Sequence, residues 1–127
     1  MPQLVALMDD LMFLSRIREA ARGTGVEVKS VRSAAELLAA ARADARLVVV
    51  DAETQRVPWR DALAALRAEP ETRDIAVIAF VGHERADLAE AARASGAGRV
   101  MARGAFVREL PALVAAIQKP AAEQPGR

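Results

Sequence analysis

The sequence has no cysteine and no tyrosine, and only one tryptophan, one histidine and three phenylalanines among 127 residues. Without cysteine there is no disulfide, no thiolate nucleophile and no thiolate-bound zinc. A single histidine, His83, builds no multi-histidine metal centre. With no activated serine or thiol to accompany it, it builds no hydrolytic triad either, and it reads as a solvent-facing loop residue. Aromatics at 3% are too few for a flavin-stacking platform. Charge of one sign is also missing: 18 basic and 17 acidic residues leave a net +1. The basic residues, almost all arginine, are scattered between acids, which removes the electrostatic footprint of a nucleic-acid or anionic-membrane binder. No apolar run approaches the about 20 residues of a membrane span. Met1-Pro2-Gln3-Leu4 has no basic region of a signal peptide, so a cytoplasmic protein is expected.

What the chain does have is Leu47-Val48-Val49-Val50-Asp51. Four aliphatic residues, three of them β-branched, end in a carboxylate. Such a run suits a strand buried on both faces. In open parallel sheets, ligands and chemistry gather beyond the carboxyl ends of the strands, which is where Asp51 falls.

The remaining chain alternates. Leu4 to Met8 is a first apolar strand ending in Asp9-Asp10. Leu11, Phe13, Leu14, Ile17, Ala20 and Ala21 recur at helical spacing, and Gly23-Thr24-Gly25 stops that helix. Val26 to Lys29 alternates like an edge strand. Ser33-Ala34-Ala35-Glu36 fits a capping box before Leu37, Leu38 and Ala41. Pro58 opens a third helix whose apolar stripe is Ala62, Leu63 and Leu66, with Trp59 packing at its start, and Pro70 ends it. Ile75 to Phe80 is a second fully buried strand. Glu84 to Ser95 is an alanine-rich helix with Leu88, Ala91 and Ala92 inward, stopped by Gly96. Val100-Met101 marks a fifth strand. A last helix is expected from about Arg108 to Gln118, with Pro111 in its first turn, the one place a helix tolerates it, and with Phe106 and Leu110 packed on the sheet. Residues 1–118 form the domain, and 119–127, with Pro120, Pro125 and Gly126, read as a disordered tail or linker start.

Strict βα alternation implies a doubly wound α/β fold with a five-stranded parallel sheet. The polar second and fifth strands belong at the edges, giving a flavodoxin-like order 2-1-3-4-5. Asp9, Asp10 and Asp51 then share the crevice at the switch point. Three adjacent carboxylates repel one another and call for a cation, and their hard oxygens suit Mg²⁺. The alternative role of Asp9 and Asp10 is to start the first helix, where acids favour the dipole. Glu27, Glu53 and the other scattered acids read as solvated surface.

In these features the chain resembles the response-regulator receiver domain of two-component signalling, over roughly residues 4 to 117. The resemblance rests on Asp9-Asp10 after the first strand, Asp51 ending the third, the run Leu66 to Ile78, and Ala91 to Ala97 before the fifth strand. It implies that Asp51 is the phospho-acceptor. It also implies that Asp9, Asp10 and Asp51, with the backbone carbonyl of Glu53, hold Mg²⁺, that no organic cofactor is bound, and that a histidine kinase supplies the phosphoryl group. Receivers commonly dock or dimerise through the fourth helix, fifth strand and fifth helix. Here that face carries Arg85, Arg93, Arg99 and Arg108, interspersed with Glu84, Glu90 and Glu109.

The departures from the family pattern concern the switch. Val81 stands where the family has a hydroxyl that bonds the phosphoryl oxygen, and it has no donor. Arg103 and Gly104 replace a Lys-Pro pair. Val100 replaces the aromatic switch residue, and Trp59 replaces a helix-opening glycine, so the loop from 52 to 58 departs as well. A lost donor to a buried charged oxygen costs about 1.5–3 kcal/mol, enough to uncouple a two-state switch. Arg103 is either a phosphate sensor or a counter-ion that permanently neutralises Asp51. The expected function is therefore a non-enzymatic receiver-like module with a degenerate switch, acting by protein–protein contact. The alternatives are a phosphorylation-independent pseudo-receiver and a flavodoxin-like cofactor domain. The last is opposed by the absence of a Gly-rich phosphate loop.

Overall fold

The structure, a computed structural model, describes residues 3–118; the expected tail from 119 to 127 lies outside them. The elements run β1 (Gln3–Leu7), α1 (Leu11–Ala21), β2 (Glu27–Val31), α2 (Ala34–Ala41), β3 (Ala45–Asp51), α3 (Trp59–Ala68), β4 (Ala76–Val81), α4 (Ala86–Ser95), β5 (Arg99–Ala102) and α5 (Arg103–Gln118). All strand pairs are parallel, in the order β2-β1-β3-β4-β5. No helix among the described residues is long and apolar enough to cross a membrane.

The apolar runs are explained by burial on both sides. Val5, Leu7, Val48, Val50, Val77, Ala79 and Val81 face the layer made by α2, α3 and α4. Leu4, Ala6, Leu47, Val49, Ile78 and Phe80, their neighbours in sequence, face α1 and α5. The period of two in strand side chains is thus hidden, because both phases are apolar. At the edges one phase is released: Glu27 and Lys29 of β2 and Arg99 of β5 are exposed.

Local chemistry sets the helix ends. Ser33 Oγ accepts the Glu36 N–H at 3.1 Å, and Glu36 accepts the Arg32 N–H at 2.8 Å, so the capping residues act as expected with the return bond one residue earlier. Trp59 is buried at the start of α3, with Ala62, Leu63 and Leu66 completing its stripe. Gly96 caps α4 at φ +120°, a backbone conformation that favours glycine. A Cβ there would also meet the Arg67 side chain at 2.8 Å, whose guanidinium donates to the carbonyls of Gly96, Arg73 and Ile75.

Some expectations are corrected. Leu11 is 68% exposed, not part of the α1 stripe: stepping 100° per residue, it falls outside the arc of Phe13, Leu14, Ile17 and Ala21. In α4, Leu88, Ala91 and Ala92 do turn inward, Ala92 fully buried and the other two partly buried against the same core. The largest difference is α5, which starts at Arg103 and carries Pro111 in its interior. The helix begins early because Phe106, Leu110, Val114 and Ile117 form one buried stripe across it. That stripe outweighs the missing N–H of Pro111, which lies on the solvent side. Replacing Pro111 with Ala restores a helix hydrogen bond without touching the core. The variant is expected to be more stable by about 1–3 kcal/mol, read as a higher denaturation midpoint. Phe80→Ala, at a site with no exposed surface, is expected to cost about 3–5 kcal/mol in the same measurement.

Candidate functional site

The carboxyl end of the sheet brings together the residues expected there. Asp9 and Asp10 follow β1, Asp51 closes β3, and Arg103 opens α5. Asp10 is the N-cap of α1, its Oδ1 accepting the Phe13 N–H at 3.0 Å. Asp51 shares its strand face with Leu47 and Val49 and is 5% exposed. Its Oδ1 accepts the Glu53 N–H at 2.9 Å, which turns the chain out of β3. Asp9 Oδ1 accepts from Thr54 Oγ1 at 2.7 Å, latching the loop after β3 onto the end of β1.

Arg103 lies across this cluster. Its Nη2 is 2.9 Å from Glu53 Oε2 and 3.6 Å from Asp51 Oδ1, while Nη1 is 3.9 Å from Asp10 Oδ2. The first is a charge-assisted hydrogen bond; the longer two are ion pairs. The guanidinium carbon stands 4.9 Å from the Phe80 ring centre and 5.2 Å from that of Phe13. These two rings stack at 4.3 Å, and Phe106 stacks on Phe80 at 5.2 Å. Phe13 and Phe80 therefore form the floor on which the guanidinium rests, with Phe106, the third phenylalanine of the chain, stacked against both rings, an arrangement that favours a planar cation.

The Glu53 side chain corrects the sequence reading. It is not solvated surface: its carboxylate turns into the pocket, held by Arg103 and by the Gly82 backbone. A Cβ at position 82 would lie 2.9 Å from Glu53 Oε1, so glycine permits that approach. The signals were a second acid two residues beyond Asp51, and three phenylalanines placed close to Asp10, Val81 and Arg103 in sequence. Thr54 offered no such signal.

The other expected residues fall elsewhere. Val81 is buried on the opposite face with Ala52 and Val57, and Val100 packs partly buried against the same cluster. Neither is turned to the pocket as a donor. Arg85 pairs with Asp87 and Arg99 with Glu109 on the surface, and Arg93 and Arg108 are exposed. His83 is exposed as expected.

The acids expected to take Mg²⁺ do not fit a divalent ion as they are arranged. Among the described residues no three carboxylates or histidines are grouped to hold a metal. Asp9 is turned to Thr54, Asp10 to the start of α1, and a guanidinium stands between Asp10, Asp51 and Glu53.

Sharing one cation affects the acids unequally. Burial pushes the Asp51 carboxyl above the usual carboxylate range, against the pull of the Glu53 N–H and Arg103. The Arg103 hydrogen bond holds Glu53 below that range. The consequences for stability have opposite signs. Asp51 binds its proton more tightly when folded, so its ionisation disfavours folding as pH rises through the folded-state pKa. Asp51→Asn is expected to melt above wild type near pH 7, with the gap closing towards about pH 4. Glu53 favours folding above its unfolded pKa and loses that contribution as pH falls through the folded one. Glu53→Gln is expected to melt below wild type near pH 7, with the deficit fading in acid. Thermal melts of both variants across this pH range check the two signs.

Neither a protein-family model nor a curated protein matches the sequence. Solved structures do. A response regulator from Hahella chejuensis is similar at 16% identity, covering 90% of this chain and 92% of its own, with a TM-score of 0.76. For a response regulator described as putative from Chloroflexus aurantiacus the figures are 20%, 91%, 96% and 0.74. The receiver domain of a sensor histidine kinase from Pseudomonas aeruginosa, which has a magnesium ion coordinated in its active-site cleft, matches at 17% identity over 91% and 96%, with a TM-score of 0.72. At such identities the likeness is one of fold, and the chain is folded as response-regulator receiver domains are.

Proposed function

We propose that this protein is a receiver-like signalling module of a two-component or phosphorelay system, cytoplasmic, and acting by protein–protein contact rather than by catalysis. The observation that carries this reading is Asp51, a buried carboxylate at the switch point of a receiver fold, with Asp9 and Asp10 beside it. Its partners are a histidine kinase or another signalling protein, or a second copy docking through α4, β5 and α5. The mixed charges of that face, including Arg85, Arg93, Arg99 and Arg108, favour selectivity and steering over raw affinity. Leu11 and Met12, 68% and 80% exposed, add apolar area at the rim, and Met12 lines a shallow cavity of about 420 Å³ with Asp10, Arg16, Arg103 and Val107.

Within this reading, the switch is degenerate and the domain works independently of phosphorylation. A phosphoryl group on Asp51 would find no hydroxyl at Val81 and would displace Glu53 from Arg103. Incubation with Mg²⁺ and a small phosphodonor, followed by intact-mass measurement, is expected to give no adduct. An adduct mapped to Asp51 would restore phospho-acceptance as the input, with the output altered by Val81.

A further inference from the structure

We infer that Arg103 is the resident cation of the acidic pocket: a positioning residue whose guanidinium takes the place of a divalent ion and fixes the surrounding segments in one arrangement. The argument starts from what each acid already has. Asp9 accepts from Thr54, Asp10 from the Phe13 N–H, Asp51 from the Glu53 N–H, and Glu53 from Arg103 and the Gly82 backbone. Each carboxylate is thus engaged by a donor of the chain itself. What such a cluster still needs is positive charge at its centre, and Arg103 meets that need from within 4 Å of Asp10, Asp51 and Glu53.

The geometry makes arginine effective. Its planar fork reaches Asp10 with one terminal nitrogen and Asp51 and Glu53 with the other. Its face lies over Phe13 and Phe80, a surface on which a strongly hydrated ion would lose water for nothing in return. A divalent ion entering the same space would have to evict the guanidinium from the rings and from Glu53 together. Arg103 is also the first residue of α5, while its partners belong to the start of α1, the end of β3 and the loop that follows. One side chain therefore ties the α5 end of the fold to the centre of the sheet.

Divalent-ion binding tests this without reference to signalling, using Mn²⁺ as the probe. Added to ¹⁵N-labelled wild type at millimolar concentration, Mn²⁺ is expected to leave the amide signals of residues 9, 10, 51 and 53 unbroadened. In Arg103→Met, which keeps an apolar stem over the rings but removes the charge, the same signals should broaden. Affinity should rise about tenfold or more, and Mn²⁺ should raise the melting temperature of this variant only. Adding Asp51→Asn to Arg103→Met should cancel the gain. Selective broadening of these signals in wild type would overturn the inference, and so would a folded Arg103→Met with no gain. The wild-type spectrum decides even if the variant does not fold. The failure of this inference differs from that of the signalling reading: a wild type that takes Mn²⁺ normally removes the lock and leaves a receiver-like pocket.

Discussion

β1, β3 and β4 bury side chains on both faces at once, and most of the molecule follows from that requirement. A strand in this position has no phase in which a polar side chain is affordable, so its buried stretch is apolar on both faces. Polar groups become tolerable only where the strand emerges from between the helix layers. Asp9, Asp10 and Asp51 stand at those exits, and the parallel direction of the strands places them all at the same edge. The acidic pocket is in this sense a consequence of the sheet.

Gathering the acids creates a second constraint, because carboxylates at neighbouring strand ends raise one another's cost of ionisation. The chain answers with a side chain from α5. Arg103 bonds Glu53 directly and holds Asp51 and Asp10 at longer range. That difference in distance, together with the deeper burial of Asp51, explains why the two acids closest to it shift in opposite directions. The phenylalanine floor holds the guanidinium plane where its fork can span the cluster. Lysine, with a point charge and no flat face, would satisfy fewer of these contacts.

The element order and the sheet order were legible because hydrophobic period and edge polarity are local signals. The continuous apolar runs ending at Met8, Asp51 and Phe80 suit central strands, and the alternating Val26 to Lys29 suits an edge. Errors arose where a local rule met a tertiary demand. Pro111 should end a helix or begin one, yet it sits inside α5 because the stripe from Phe106 to Ile117 gains more from burial than one hydrogen bond is worth. Leu11 extends an apolar pattern that the α1 stripe does not include. Glu53 was legible as a neighbour of Asp51, but which way its carboxylate turned was not.

By itself, the sequence determined the fold class, the five βα units, and the presence of acids at the strand exits, since each depends on residue type and spacing along the chain. It also singled out Arg103, the residue just after β5, as a departure from the family pattern. Only the tertiary structure made the choice of which groups the Arg103 guanidinium meets: Glu53, Asp51 and Asp10. That choice rests on the packing of α5 against α1 and the phenylalanine stack, which brings a residue 52 positions after Asp51 to within 3.6 Å of it. Long-range approach of this kind depends on how helices seat on a sheet, and no local pattern encodes it.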